Sequence, residues 1–312
     1  MAYLMCMDTP VYDSSTKQIL AKHLMPCPVE KYEEWRNSRM FLRGINRAPE
    51  LDEQALGAFS RTVRRRLSLS DSYWIKYNAD PVGSFSEVSP YVNEFFEYGV
   101  CVSTKSAPSL TVTGSINKNW KRLPNGETVL YKVMRQAWVM WELRAVALAQ
   151  KLNLPVNKVT AISETELYVH NFTEPGKMLM RLQPWDLSAV DVKRNGDFGY
   201  TFTSVDKVYK NLGIEGNSHI VTVLFDAVVG NHDRIKNLTN WGYFKSGVSG
   251  KNTACPMFDF NLAHADQKNM FLHIVKKQIT EEHSALLRQW KPVVASHGEP
   301  FWLENVNDLL NE

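Results

Sequence analysis

The sequence predicts an α+β fold. A β-rich segment over residues 106–172 precedes a mainly helical segment over residues 173–312, and an α/β module over residues 1–105 leads the chain. Three observations carry this prediction. Two runs rich in β-branched and aromatic residues, SLTVTG and ETVLYKV, flank a polar, glycine-bearing stretch at 115–126, and two more, VTAIS and TELYVHNF, follow a strong helix. Beyond Pro175 helical periodicity dominates, notably at 219–229 and 280–290. Between Ser68 and Pro108 the chain is punctuated by Ser, Pro and Gly, which places a module boundary there. A chain of 312 residues suits about two domains and buries a core without disulfides or a structural metal.

Along the leading module, short apolar stretches at 2–7 and 18–25 read as strands and turns. From Pro28 the spacing of Val29, Tyr32, Trp35 and Met40 predicts a helix with one apolar face. A second helix is predicted over 51–69, with Asp52 and Glu53 at its start and Arg61, Arg64, Arg65 and Arg66 towards its end, complementing the helix dipole. The segment QAWVMWELRAVALAQKL (136–152) is an amphipathic helix stopped by Asn153 and Pro155. A short β pair is predicted around 241–244 and 256–260, inside the helical segment.

With 36 basic and 33 acidic residues the net charge is +3, too small to imply a nucleic-acid or membrane partner. The arginine run at 61–66 could dock on phosphates, but so short a run at a helix end reads as a solvated face, and direct nucleic-acid binding is not expected. Cys6, Cys27, Cys101 and Cys255 are far apart with no CxxC pair, which points to reduced thiols and not to disulfides or zinc. The N-terminus lacks a basic region before an apolar one and carries Asp8 early, and no apolar run approaches ~18 residues. The expectation is a soluble, cytoplasmic protein without a membrane partner.

Three polar clusters stand out. The first is Thr113, Gly114, Ser115, Ile116, Asn117 and Lys118, between two strands. Glycine there lets backbone N–H groups approach a phosphate and Lys118 adds charge, although a plain β-turn reads the same way. No GxxxxGK[ST] occurs, which excludes a P-loop NTPase. The second is Lys132 in VLYKV with Glu142 on the following helix. A lysine on a buried strand is costly unless paired, and a helix glutamate is its natural partner; two solvent-facing side chains would be the plain alternative. The third runs from Asn231, His232, Asp233 and Arg234 through Asn237 and Asn240 to Asp259. A carboxylate, an amide a few residues on and a second carboxylate after a strand pair form a recurring phosphoryl-transfer set. The first orients the attacking hydroxyl, and the others hold Mg²⁺ against the phosphates. Loop Asn and Asp residues also cap turns.

Taken in order, TGSINK, LYKV, a helix glutamate, GNHDR and MFDFN resemble the HipA-like protein kinases. In that family a G-x-x-x-K loop precedes the strand lysine, as Gly114 to Lys118 precede Lys132. Its D-R/A-H-x-x-N segment resembles Asp233-Arg234 onward, and its P-x-[FY]-D segment is similar to Pro256-Met257-Phe258-Asp259. WRNSR near Trp35 and SLSDSYWIK at 68–76 extend the resemblance, to bacterial and phage members, over nearly the whole chain. It implies a bilobal protein-kinase-like fold with ATP and Mg²⁺ between a small β-rich lobe and a larger helical lobe, and serine/threonine kinase activity in a toxin or regulatory role, with a protein or antitoxin partner. By the same resemblance Asp233 and Lys132 are catalytic, and Gly114 to Lys118, Lys132 and Glu142 serve the nucleotide. His170, Asn171 and Phe172 lie at the lobe crossing near the adenine. Thr111, three residues before Gly114, falls where some relatives carry an autophosphorylated serine.

Two positions depart from the family pattern. Its amide comes five residues after the catalytic Asp, where this chain has Leu238; Asn240, in NWGY, is the preferred Mg²⁺ ligand beside Asp259, and Asn237 the second choice. Ile235 replaces the family histidine. A nucleotide-binding interaction protein that has lost transfer is therefore the alternative reading. Gly230 to Asp233 also spell the GNHD of calcineurin-like metallophosphoesterases, but their D-x-H, GDxxD and G-H-x-H partners are absent.

Overall fold

The computed structural model describes residues 2–38, 61, 65–79, 81–95, 117–192, 202–263 and 268–312. Two compact units emerge: Met1–Val133 with His170–Met180 and Phe244–Lys251, and Met134–Val169 with Arg181–Tyr243 and Asn252–Glu312.

In the first unit, β1 (Ala2–Cys6), β2 (Thr9–Asp13), β3 (Gln18–Ile19) and β4 (Tyr73–Tyr77) form an antiparallel sheet in the order β3-β2-β1-β4. Helix α1 (Tyr32–Ser38) lays the aromatic face anticipated from its spacing against the sheet. Tyr32 meets Tyr12 at 4.5 Å, and Trp35 meets Tyr73 edge-on at 5.5 Å. Residues 65–69 are not helical, and Arg66 has φ +57°, so the second predicted helix does not reach its expected end; its residues 51–60 lie outside the described residues.

SLSDSYWIK (68–76) is buried almost throughout and fastens this module to residues 171–179. The Leu69 carbonyl accepts from Thr173 Oγ1 at 2.6 Å, Asn171 Nδ2 at 3.1 Å and Tyr91 Oη at 3.2 Å. The Ser72 hydroxyl accepts the Gly176 N–H, and the Ser70 carbonyl the Leu179 N–H. Strands β5 (Asn117–Arg122) and β6 (Thr128–Val133) complete the unit as a hairpin. Of the strand predicted at 109–113, nothing falls within the described residues.

The second unit begins with α2 (Gln136–Lys151), which ends as anticipated at Asn153, held at φ +56°. β7 (Val159–Ala161) and β8 (Glu166–His170) pair antiparallel. β9 (Lys177–Arg181), read from sequence as part of a helical region, is a strand, and its residues up to Met180 belong to the first unit. α3 (Pro184–Ser188), α4 (Phe202–Asn211), α5 (Ser218–Val229) and α6 (Asp233–Lys236) lead to β10 (Gly242–Ser246) and β11 (Asn252–Ala254). The sheet order is β11-β10-β9. The second strand of the predicted pair ends before 256–260, because Pro256 has no N–H to give a ladder; only Met257 makes an isolated bridge, to Val156.

α7 (Lys268–Lys276), α8 (Glu281–His297) and α9 (Pro300–Leu310) follow, and α4, α7 and α9 all pack on α5. Leu224, Phe225, Val228, Val229, Phe260, Leu287, Val294 and Trp302 form its core, with Phe225 edge-on to Phe260 at 5.6 Å. Among the described residues no helix is long and apolar enough to cross a membrane. Among the described residues Cys6, Cys27 and Cys255 are not joined in disulfides; Cys101 lies outside the described residues.

Candidate active site

α5 is apolar nearly all round and buried from Val223 to Val229, a rigid support for the loop that follows. Gly230 ends it at φ +72°, and a Cβ there would meet the Ala263 carbonyl and the Phe301 ring, both at 3.2 Å. Conformation and space both demand glycine. We expect Gly230→Ala to lower the melting temperature by several degrees, consistent with a loss of about 1–3 kcal/mol; thermal denaturation checks it, and an unchanged midpoint would contradict the tight fit.

Asp226, one turn before this exit, is buried inside α5. Its Oδ2 accepts from Arg234 Nε at 2.7 Å and its Oδ1 from Asn231 Nδ2 at 3.0 Å. Arg234 is also buried; its Nη1 donates to the Asn240 carbonyl at 2.6 Å and its Nη2 to the Phe258 carbonyl at 2.7 Å. Its guanidinium lies among the rings of Phe260, Phe258 and Trp241 at 5.1, 5.7 and 5.9 Å, an environment suited to a weakly hydrated cation. Arg234 is therefore spent on a buried carboxylate and on backbone carbonyls of its own loop. One guanidinium thus ties α5 to the segments before Trp241 and before Asp259. Burial pushes the Asp226 carboxyl up to about 6, with Arg234 and Asn231 opposing it.

This hub presents the other polar groups of the loop. Asp233 opens α6, and its Oδ2 accepts from Asn240 Nδ2 at 2.7 Å. A 3₁₀ turn over Leu238–Asn240 brings that amide round, which is how an amide seven residues on reaches the carboxylate. Asn237 starts the turn: its Oδ1 accepts from Thr239 N at 3.2 Å and Thr239 Oγ1 at 2.7 Å, and its Nδ2 approaches Asn240 Oδ1 at 3.4 Å. Asp259 sits at φ +66°, a conformation costly for most residues and best tolerated by Asp and Asn. Its carbonyl is 3.4 Å from Asn231 Nδ2. The GNHD asparagine therefore serves the loop, with its amide on Asp226. Among the described residues no three His, Cys, Asp or Glu side chains gather as a metal cluster.

Arg181, which sequence reasoning missed, ends β9. Its Nη1 donates to the Thr239 carbonyl at 3.2 Å and its guanidinium lies 5.7 Å from the Phe258 ring. Desolvation lowers its pKa and the Asp259 charge opposes this. Successive carbonyls of the turn, at Thr239 and Asn240, are thus each held by an arginine, and Phe258 lies against both guanidinium groups.

In the first unit the hairpin register sets Lys118 opposite Lys132, and both are buried. Directly opposed side chains share a face with Cβ atoms about 5 Å apart, so the two lysines stand side by side on one face of the hairpin. Asn117 and Lys118, expected in the turn between two strands, instead open β5, because residues 117–122 themselves pair with β6; Gly114, Ser115, Ile116 and Thr111 lie outside the described residues. His170 Nδ1 lies 2.6 Å from Glu127 Oε1. Asn171 gives its N–H to the Thr128 carbonyl and its side chain to Leu69 and Thr128, and Phe172 packs edge-on to Phe244 at 5.8 Å. In the second unit, Glu142 is buried within α2.

No protein-family model matches the chain, and no curated protein matches it by sequence. Among solved structures it is similar to the Shewanella oneidensis MR-1 toxin–antitoxin system of HipA, HipB and operator DNA. That match covers 100% of this chain and 96% of that chain, with TM-score 0.53 and 13% identity. A Helicobacter pylori proinflammatory kinase, CtkA, matches 62% of this chain and 89% of its own, with TM-score 0.39 and 13% identity. The chain has an α+β, HipA-like kinase fold.

Proposed function

We propose that this chain is an ATP- and Mg²⁺-dependent phosphotransferase, a HipA-like protein kinase that acts on a serine or threonine hydroxyl. The observation that carries the reading is the Asn240 carboxamide on the Asp233 carboxylate at 2.7 Å, in a loop whose other arm ends at Asp259. Asp233 orients the acceptor hydroxyl and takes its proton late, since a loose transition state leaves that proton on until the bond has largely formed. Lys118 and Lys132, side by side on one face of their hairpin, hold the nucleotide phosphates, and Glu142 pairs with Lys132. Gly114, Ser115 and Ile116, with Asn117 at the start of β5, cover the phosphates, and His170 to Phe172 flank the adenine. The Asp259 carboxylate, with the Asn240 side-chain amide oxygen and Asn237 as second choice, would hold Mg²⁺. Hard oxygen donors with one or two carboxylates suit this ion, which keeps several waters and binds phosphate. When bound, Mg²⁺ neutralises charge on the phosphates.

Calorimetry tests the nucleotide site. Wild type should bind ATP in a Mg²⁺-dependent manner, Asp259→Ala should lose that dependence, and Lys132→Ala should lower kcat/KM about 10²–10³-fold. Binding unaffected by Asp259→Ala would contradict the assignment. Thr111 is the proposed autophosphorylation site: intact-mass spectrometry after incubation with Mg²⁺-ATP should show one phosphate that Thr111→Ala removes, and phosphate elsewhere or nowhere counts against it. The HipA of the similar structure is part of a toxin–antitoxin system with HipB, and a protein partner of antitoxin type is proposed here on that likeness.

A further inference from the structure

α2 carries two neighbouring stripes. Glu142, Ala145, Val146 and Ala149 form one, spaced at i, i+3, i+4 and i+7, and all are buried. Trp141, Arg144 and Lys151 form the other, and it meets the turn between α8 and α9. The Trp141 ring lies 6.1 Å from that of Trp302, which is fully buried and stacked on His297 at 5.4 Å and 13°. Arg144 lies over Trp141 at 5.5 Å and pairs with Glu299. Lys151 Nζ is 3.3 Å from His297 Nδ1. Between His297 and Glu299, Gly298 at φ +87° reverses the chain; a Cβ there would meet nothing within 4 Å, so backbone conformation alone selects glycine. The helix bearing Glu142 is thus fastened at three of its turns to one short segment near the C-terminus.

We propose that the α8–α9 turn, through Trp302, Glu299 and His297, is a positioning element for Glu142. It fixes the rotation and axial position of α2 and thereby sets where the Glu142 carboxylate stands. The inference rests on the reading above that Glu142 partners the ATP-contacting Lys132. A lysine–glutamate pair of this kind must be in place for phosphoryl transfer, and the placing of its helix is a recognised point of control. Here that control would lie with the C-terminal helices, about 150 residues along the chain from Glu142.

The test uses the full chain with Trp141→Leu and Glu299→Gln, separately and together, each in the wild-type and Glu142→Gln backgrounds. Two quantities are read: Mg²⁺-ATP affinity by calorimetry, and amide hydrogen exchange over residues 136–151. The paired substitution should weaken ATP binding about fivefold in the wild-type background and less than about twofold with Glu142→Gln, the non-additivity of a shared path. Exchange in α2 should rise about tenfold while α5 is unchanged. Equal losses in both backgrounds, or unchanged α2 exchange, would overturn the proposal. Should wild type bind no Mg²⁺-ATP, the proposed function falls and exchange alone decides whether the turn holds α2. Glu299→Gln, a change at the helix end, keeps the test valid if the tryptophan variant fails to fold.

Discussion

Asp233→Asn should lower phosphoryl transfer by about 10³-fold or more while leaving Mg²⁺-ATP affinity within about threefold. Asparagine keeps the size and one oxygen, so the Asn240 amide retains an acceptor and the turn over 238–240 retains its closure. What is lost is the negative charge that, in the proposed function, orients the hydroxyl and finally takes its proton. A site that had kept nucleotide binding and lost transfer would show no such separation, because wild type would already be inactive. Steady-state kinetics beside calorimetry checks both halves. Equal losses of affinity and rate would place Asp233 in nucleotide binding instead.

Arg234→Ala should be the most destabilising single change in the loop, costing about 3–5 kcal/mol at pH 8. It leaves Asp226 buried without its counter-charge and removes donors from the Asn240 and Phe258 carbonyls. The pH dependence has a definite sign. Asp226 already stands near 6 in the fold, above its ordinary value of 3.8, so the folded state holds the proton more tightly than the unfolded chain. Its contribution to stability is therefore fully present below about pH 4 and is lost as pH rises to about 6. Removing Arg234 pushes this carboxyl higher still, so the penalty should shrink as pH is lowered from 8 to 5. Asp226→Asn added to Arg234→Ala should recover much of the stability without restoring transfer, since the two carbonyls stay unheld. Chemical denaturation at the two pH values measures this. A penalty independent of pH would show that the buried charge is not its cause.

The loop was legible where its chemistry leaves a mark on the chain. An apolar helix running into glycine and then into Asn, His, Asp and Arg announces a C-cap with a polar loop behind it, and Gly230 at φ +72° is that cap. Tyr32 and Trp35 were legible as one helix face because their spacing has only one use. Asp226 was missed because it is a single charge within an apolar run, FDAVV, and Arg181 because it ends a short run, KMLMR, whose only other charge is Lys177 at the opposite end; neither draws attention as a cluster. The signal was present, since a charge that must be buried needs a partner. For Asp226 that partner, Arg234, lay eight residues on. The route by which Asn240 meets Asp233 depends on a 3₁₀ turn started by the Asn237 side chain, a local hydrogen-bond choice that spacing alone does not specify. β9 was hidden for a different reason: KMLMR is too short and too evenly apolar to show a period of two.

The most direct measurement is single-turnover transfer from γ-labelled ATP, with wild-type chain in excess, with and without Mg²⁺, offering the chain itself and a proteome extract as acceptors. The account predicts Mg²⁺-dependent label on a serine or threonine hydroxyl. Tight Mg²⁺-ATP binding with no label on either acceptor would contradict it and would leave a nucleotide-binding protein without transfer.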